Sequence, residues 1–202
     1  MRSGRIDLTG CPVPAMPTSS HRLHDQLRYA ALMNHRLTRH IIGDAKSVVL
    51  VAQAARWFGV PIASIGLVGR DLVHLVAEIG TDVHVLPRDH AISPYAIQRD
   101  EPLVVEDTAR DPVFAAHPLV VARAVRFLAA APLIDRDGYR LGAFCLLGRE
   151  PRAMPAADIA ELVRFAARAM ARIDFLSMIA ELSREALPAT PAVRRAREVM
   201  VW

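Results

Sequence analysis

Residues 101–152 read EPLVVEDTARDPVFAAHPLVVARAVRFLAAAPLIDRDGYRLGAFCLLGREPR, and their pattern decides the fold. Leu103–Val105 is a brief β-type run that stops at Glu106 and Asp107. Residues 108–123 lack periodicity and are broken by Pro112 and Pro118, so they read as irregular. Val125–Ile134 and Tyr139–Leu147 are long apolar runs separated by Asp135, Arg136, Asp137 and Gly138, a turn composition in which glycine supplies positive φ. A long β-hairpin is the expected result.

Working outward, Pro155–Leu187 predicts one long helix. Pro155 suits the first turn, and Ile159, Leu162, Val163, Ala166, Met170, Ile173 and Leu176 mark an apolar face. Phe165, Phe175, Met178 and Ile179 widen that face beyond what one sheet contact needs. Upstream, residues 21–58 show helical periodicity interrupted at Gly43, with Asp44 as N-cap of a second helix and Gly59 as its C-cap. Pro61–Val68, Leu72–Glu78 and Asp82–Leu86 then predict strands, the last two joined by a tight turn at Ile79-Gly80-Thr81. A short helix is expected near Tyr95–Gln98. Helices, three strands, loops, two strands and a helix make an α+β domain with an antiparallel sheet. Residues 1–20, rich in glycine and proline, predict a flexible arm; residues 188–202 predict a basic tail containing Arg194, Arg195 and Arg197.

The chain has 202 residues, 52% of them hydrophobic, enough for a single core with helical extensions. No run approaches the roughly 18 apolar residues of a membrane span, and the N-terminus has no signal-peptide core, so a cytoplasmic protein is expected. Net charge is only +4, with acidic residues interspersed among arginines, a pattern that argues against nucleic-acid binding. Cys11 and Cys145 cannot form a disulfide framework.

Several local signatures along residues 21–187 resemble a GAF domain. They are Trp57-Phe58-Gly59-Val60-Pro61, Pro87-Arg88 with Ile92 and Ser93, Glu101–Val105 with Asp107, Asp111-Pro112 with Phe114, and Ala131-Pro132-Leu133 followed by Asp137-Gly138 and Leu141-Gly142. The resemblance implies a GAF-like (PAS-like) sheet of about six strands, with the terminal helices on one face. Residues 87–123 would roof a small-ligand pocket on the other, and the terminal helices would pair across a homodimer. Relatives often carry a cysteine where this chain has Ser93 and an aromatic where it has Leu128.

The candidate site residues are Arg88, His90, Ser93 and Tyr95 in the roof, Asp107 after the short strand, and Phe127 and Cys145 on the hairpin. An arginine, an imidazole and two hydroxyls so close in sequence suit a polar or anionic small ligand. Asp107 also fits an Asx-turn. Cys145 is read as a small core hydrophobe that shares a face with Ala143 and Leu147, with Phe127 on a neighbouring strand. His84, His90 and His117 match no metal-ligand spacing, which leaves a metal or haem site as a minor alternative. The expected function is a small-molecule sensor, signalling through its helices to a separate output protein. The competing readings are an enzyme on a small polar substrate and a protein-binding module with a self-filled pocket. Methionine sulfoxide reductase chemistry is disfavoured because the roof holds no cysteine.

Overall fold

The computed structural model describes residues 21–34 and 41–185. The predicted N-terminal arm, the basic tail and Cys11 lie outside them. Helices α1 (His21–Asn34) and α2 (Ala45–Phe58) precede strands β1 (Ile62–Val68), β2 (Leu72–Ile79) and β3 (Val85–Pro87). A 3₁₀ turn (Arg88–His90) and helix α3 (Ser93–Ala96) lead to β4 (Leu103–Val105) and helix α4 (Pro118–Arg123). Strands β5 (Phe127–Ile134) and β6 (Arg140–Gly148) and helix α5 (Ala156–Glu185) complete the domain. The six strands form one sheet in the order β3-β2-β1-β6-β5-β4, with every pairing antiparallel.

The predicted caps are present. Asp44 accepts hydrogen bonds from the backbone N–H and hydroxyl of Ser47, and Gly59 closes α2 in the left-handed region. In the β5–β6 turn, Asp135 Oδ1 accepts from the N–H groups of Asp137 and Tyr139, and Gly138 sits at φ 84°. Such local chemistry fixes the hairpin's register.

Two expectations need correction. The third strand, expected over residues 82–86, is shorter and displaced to Val85–Pro87. The connection after β2 is a loop, and β3 begins at Val85, pairing Val85 with His74 and Pro87 with Leu72. The 108–123 segment is not wholly irregular, since its end forms α4 with Pro118 at the helix start. The six residues Pro118–Arg123 are too few to show a helical period.

Alternation along the strands divides the core between two faces. On one face, α1, α2 and α5 cover Ala63, Ile65, Phe127, Ala129, Ala131, Phe144 and Leu146. Phe165 of α5 meets Phe144 at 5.8 Å and Phe58 of α2 at 6.0 Å between ring centroids. On the other face, Ile62, Leu128, Ala130, Ala143, Cys145 and Leu147 pack under α3, α4 and the segment between them. This division overturns the placement of Phe127. It pairs with Gly148, and Ala130 is the residue opposite Cys145, so Phe127 points into the helix layer.

Candidate ligand-binding site

The roof lies close to the sheet because β1 has no side chain at its centre. A Cβ at Gly66 would stand 2.8 Å from Ser93 Oγ, so glycine is what lets α3 approach. Ser93 is buried, and its hydroxyl lies 3.6 Å from Cys145 Sγ across 52 residues of chain. These two residues share the wall of a cavity of ≈ 40 Å³ with Ile62, Ser64, Leu75, Leu86, Ala91, Leu119 and Leu147. Its lining is apolar apart from Ser64, Thr81, Ser93 and the thiol, and it contains no charged side chain.

Cys145 is fully enclosed, and burial pushes its thiol up to about 11, partly offset by the Ser93 hydrogen bond. Such a thiol is not a nucleophile at neutral pH. Among the described residues it is the free cysteine.

The charged candidates lie elsewhere. Arg88 donates through both terminal nitrogens to Asp25 of α1, at 2.8 and 2.9 Å, and to the carbonyls of Gly69 and Arg70. Asp25 also accepts from buried Arg28, whose guanidinium reaches the Val68 carbonyl at the end of β1. Burial opposes the Asp25 charge, but its bonds with Arg88 and Arg28 prevail and hold the carboxyl below its ordinary range. Asp107 pairs with Arg126 and accepts from the Ala109 N–H, the Asx-turn foreseen for it. Neither Arg88 nor Asp107 lines the cavity.

Beside the cavity lies a second group. Tyr95 packs, tilted and edge-on, at 5.0 Å from Phe114 and 5.6 Å from His117, while Phe114 and His117 are 5.8 Å apart. His117 is completely buried. Burial first and the neighbouring His90 second depress it to about 4, against weaker support from the Ala91 backbone and Asp89. The Ala91 backbone is near enough to favour the charged form slightly, yet neither ring nitrogen of His117 has a partner with hydrogen-bond geometry. The hydroxyl of Tyr95 and Nδ1 of His90 are likewise buried without one. His84 is not part of this group; it pairs with Glu78 at 2.6 Å on an exposed edge. Among the described residues no set of three or more His, Cys, Asp or Glu side chains is placed to hold a metal ion.

Sequence reasoning therefore brought Ser93 and Cys145 to the cavity, and His90 and Tyr95 to its flank. It missed the lining from β2 and α4, and it missed Ser64, whose hydroxyl in an otherwise apolar strand was the available signal.

The model of the GAF domain family matches residues 27–173. The chain belongs to the GAF domain family. Its GAF domain is similar to a cyclic di-GMP phosphodiesterase of Pseudomonas aeruginosa, 36% identical over 129 residues. That match covers 63% of this chain and 22% of the relative, so the chain spans about a fifth of the relative's length. The GAF domain of an Acinetobacter phosphoenolpyruvate-protein phosphotransferase superposes with a TM-score of 0.58 at 15% identity, covering 79% of this chain and 98% of the other. Free methionine-R-sulfoxide reductase from Neisseria meningitidis, solved with its substrate, gives 0.56 at 16% identity, with coverages of 85% and 99%. At such identities these structures establish the GAF fold alone. No helix among the described residues is long and apolar enough to cross a membrane.

Proposed function

We propose that this GAF domain is a non-catalytic sensor of a small, uncharged molecule. The observation that carries this reading is the cavity between sheet and roof, whose walls are apolar with hydroxyl and thiol groups and no charged side chain. Placing an anion there would leave its charge uncompensated in an apolar setting, at a cost of several kcal/mol. The raised thiol and the lack of a charged group on the wall argue against nucleophilic or acid–base catalysis at this site.

At ≈ 40 Å³ the cavity has room for a few water molecules, far less than the roughly 300 Å³ of a typical ligand site. Binding therefore requires the roof to lift. The junction between α4 and β5 supports such a movement, because Ala124 holds a left-handed conformation at φ 50° that a non-glycine residue adopts at a cost. Roof displacement would pull on α1 through the Arg88–Asp25 bond. The coupled element is a pair of terminal helices in a homodimer that presents its change to a separate output protein. The exposed Phe175, Met178, Ile179 and Leu182 of α5 support that pairing, since they continue the helix's apolar surface away from the sheet.

Native mass spectrometry of freshly purified protein tests both parts at once. The expected spectrum is a dimer that loses a neutral small molecule on activation or gains one from a panel of uncharged metabolites. A monomer at micromolar concentration defeats the dimer, and failure of every uncharged compound while an anion binds defeats the ligand assignment.

A further inference from the structure

The aromatic group beside the cavity is out of balance with itself. His117 Nδ1 and Nε2, Tyr95 Oη and His90 Nδ1 are all buried without hydrogen-bond partners. A buried polar atom left unpaired costs about 1–3 kcal/mol, so several in one place call for an occupant. On the helix face Asp44 is satisfied by Ser47 and Arg172, although Arg28 of α1 leaves its Nη2 without a partner.

We propose that His117, Tyr95 and His90 form a hydrogen-bonding compartment that takes a neutral planar group carrying both a donor and an acceptor, of the carboxamide or lactam class. This rests on the cavity being the ligand site, and it assigns the polar end of that ligand. A neutral imidazole offers one donor and one acceptor, and a phenol can act as either, so the complement must also offer both. Burial holds His117 neutral, and the nearest carboxylate, Asp89, is exposed at 3.9 Å from His90 Nδ1. The rings of Phe114 and Tyr95 pack against each other at 5.0 Å, so a planar group enters between them only when the roof lifts. Ala91, next to His90 in the chain, and Leu119, two residues beyond His117, both line the cavity. A single-ring ligand with its body against Leu75 and Leu147 would thus turn its amide edge toward His117.

The test uses the full chain with three ring probes: benzamide, toluene and benzoate. Methyl shifts of Leu75 and Leu147, which line the cavity, report its occupancy, and ¹⁵N shifts of labelled imidazoles report the compartment. Benzamide is expected to bind about tenfold more tightly than toluene and to move the His117 ring signals. In Tyr95→Phe, which removes an unpartnered hydroxyl and should fold at least as well, benzamide affinity should fall several-fold while toluene binds unchanged. His117→Phe should show the same loss. Equal binding of benzamide and toluene, each shifting the Leu75 and Leu147 methyls, overturns the compartment but leaves the cavity reading intact. If no probe shifts the Leu75 and Leu147 methyls, both fall. Tighter binding of benzoate with His117 protonated overturns the neutral-ligand assignment. A crystal structure in which ordered waters bridge His117 and Tyr95 and persist in benzamide assigns the compartment to water and overturns the proposal.

Discussion

The two faces of the sheet are made from alternate residues of the same strands, yet they are built to different standards. The helix face is packed by phenylalanine, leucine and alanine from α1, α2 and α5, with Phe144 and Leu146 wholly inaccessible. Its principal charged contact there, Asp44 with Arg172, is a two-point bond at 2.6 and 3.0 Å that holds Asp44 down to about 2, helped by Ser47. The roof face has shorter helices, a cavity and a group of unpartnered polar atoms. A face that must hold the fold is filled with apolar side chains; a face that must admit something is left incomplete.

The largest expected effect compares neighbours on β6. Leu146 points into the helix layer and Leu147 onto the cavity. Leu146→Ala should cost toward the upper part of the roughly 2–5 kcal/mol range for such truncations, because rigid helices cannot collapse onto the void. Leu147→Ala should fall near the lower end of about 2 kcal/mol and should enlarge the cavity enough for toluene to bind without opening the roof. Denaturant titration of both variants, with and without toluene, checks this. Equal losses and no toluene response would erase the contrast between the faces.

A somewhat smaller effect should appear with pH. His117 has an ordinary value of 6.5 and is held at about 4 in the folded protein, chiefly by burial. Between these values the unfolded chain binds more protons, so protonation favours unfolding. Stability should be complete above about pH 6.5 and decline as pH falls toward 4, by roughly 2–4 kcal/mol from this residue. Half-buried His74 is also shifted down and contributes in the same direction, while His90 and Asp89 are the groups whose charges act on His117. His117→Phe should flatten most of the slope in thermal unfolding between pH 4 and 6.5. If the slope survived, the acid sensitivity would lie with His74 or elsewhere.

Much of the fold was legible because its signals are local. Asp44 and Gly59 bracket α2 by capping, and the Asp135–Gly138 turn sets the β5–β6 hairpin, each within a few residues of the chain. The failures concern what local chemistry does not carry. Strand β3 has three residues on a sheet edge, so its position depends on β2 rather than on its own pattern. The face assigned to Phe127 depended on the β5–β6 register, and one step of alternation moved it from cavity to core. The site was legible only in part for the same reason. Ser93 and Cys145 were each visible, but their 3.6 Å approach is made possible by a glycine on another element, Gly66 of β1. Arg88 looked like a ligand contact because its carboxylate partner lies 63 residues earlier, on α1.

Arg88 supplies the smallest expected effect and the finest test of the comparison. Its bond to Asp25 joins the roof to α1 at the margin between the two faces, where both side chains keep partial access to solvent, 21% and 34%. Arg88→Gln should cost about 1 kcal/mol, since exposure screens the pair and Asp25 retains buried Arg28 as a partner. Benzamide affinity should change by less than about twofold, as one neutral contact outside the cavity is worth little. Amide exchange in α1 should nevertheless quicken, because the helix has lost its link to the roof. Tenfold weaker benzamide binding would return Arg88 to the ligand site and place charge on the roof face after all. Unchanged exchange in α1, with or without ligand, would mean that movement of the roof does not reach the terminal helix by this route.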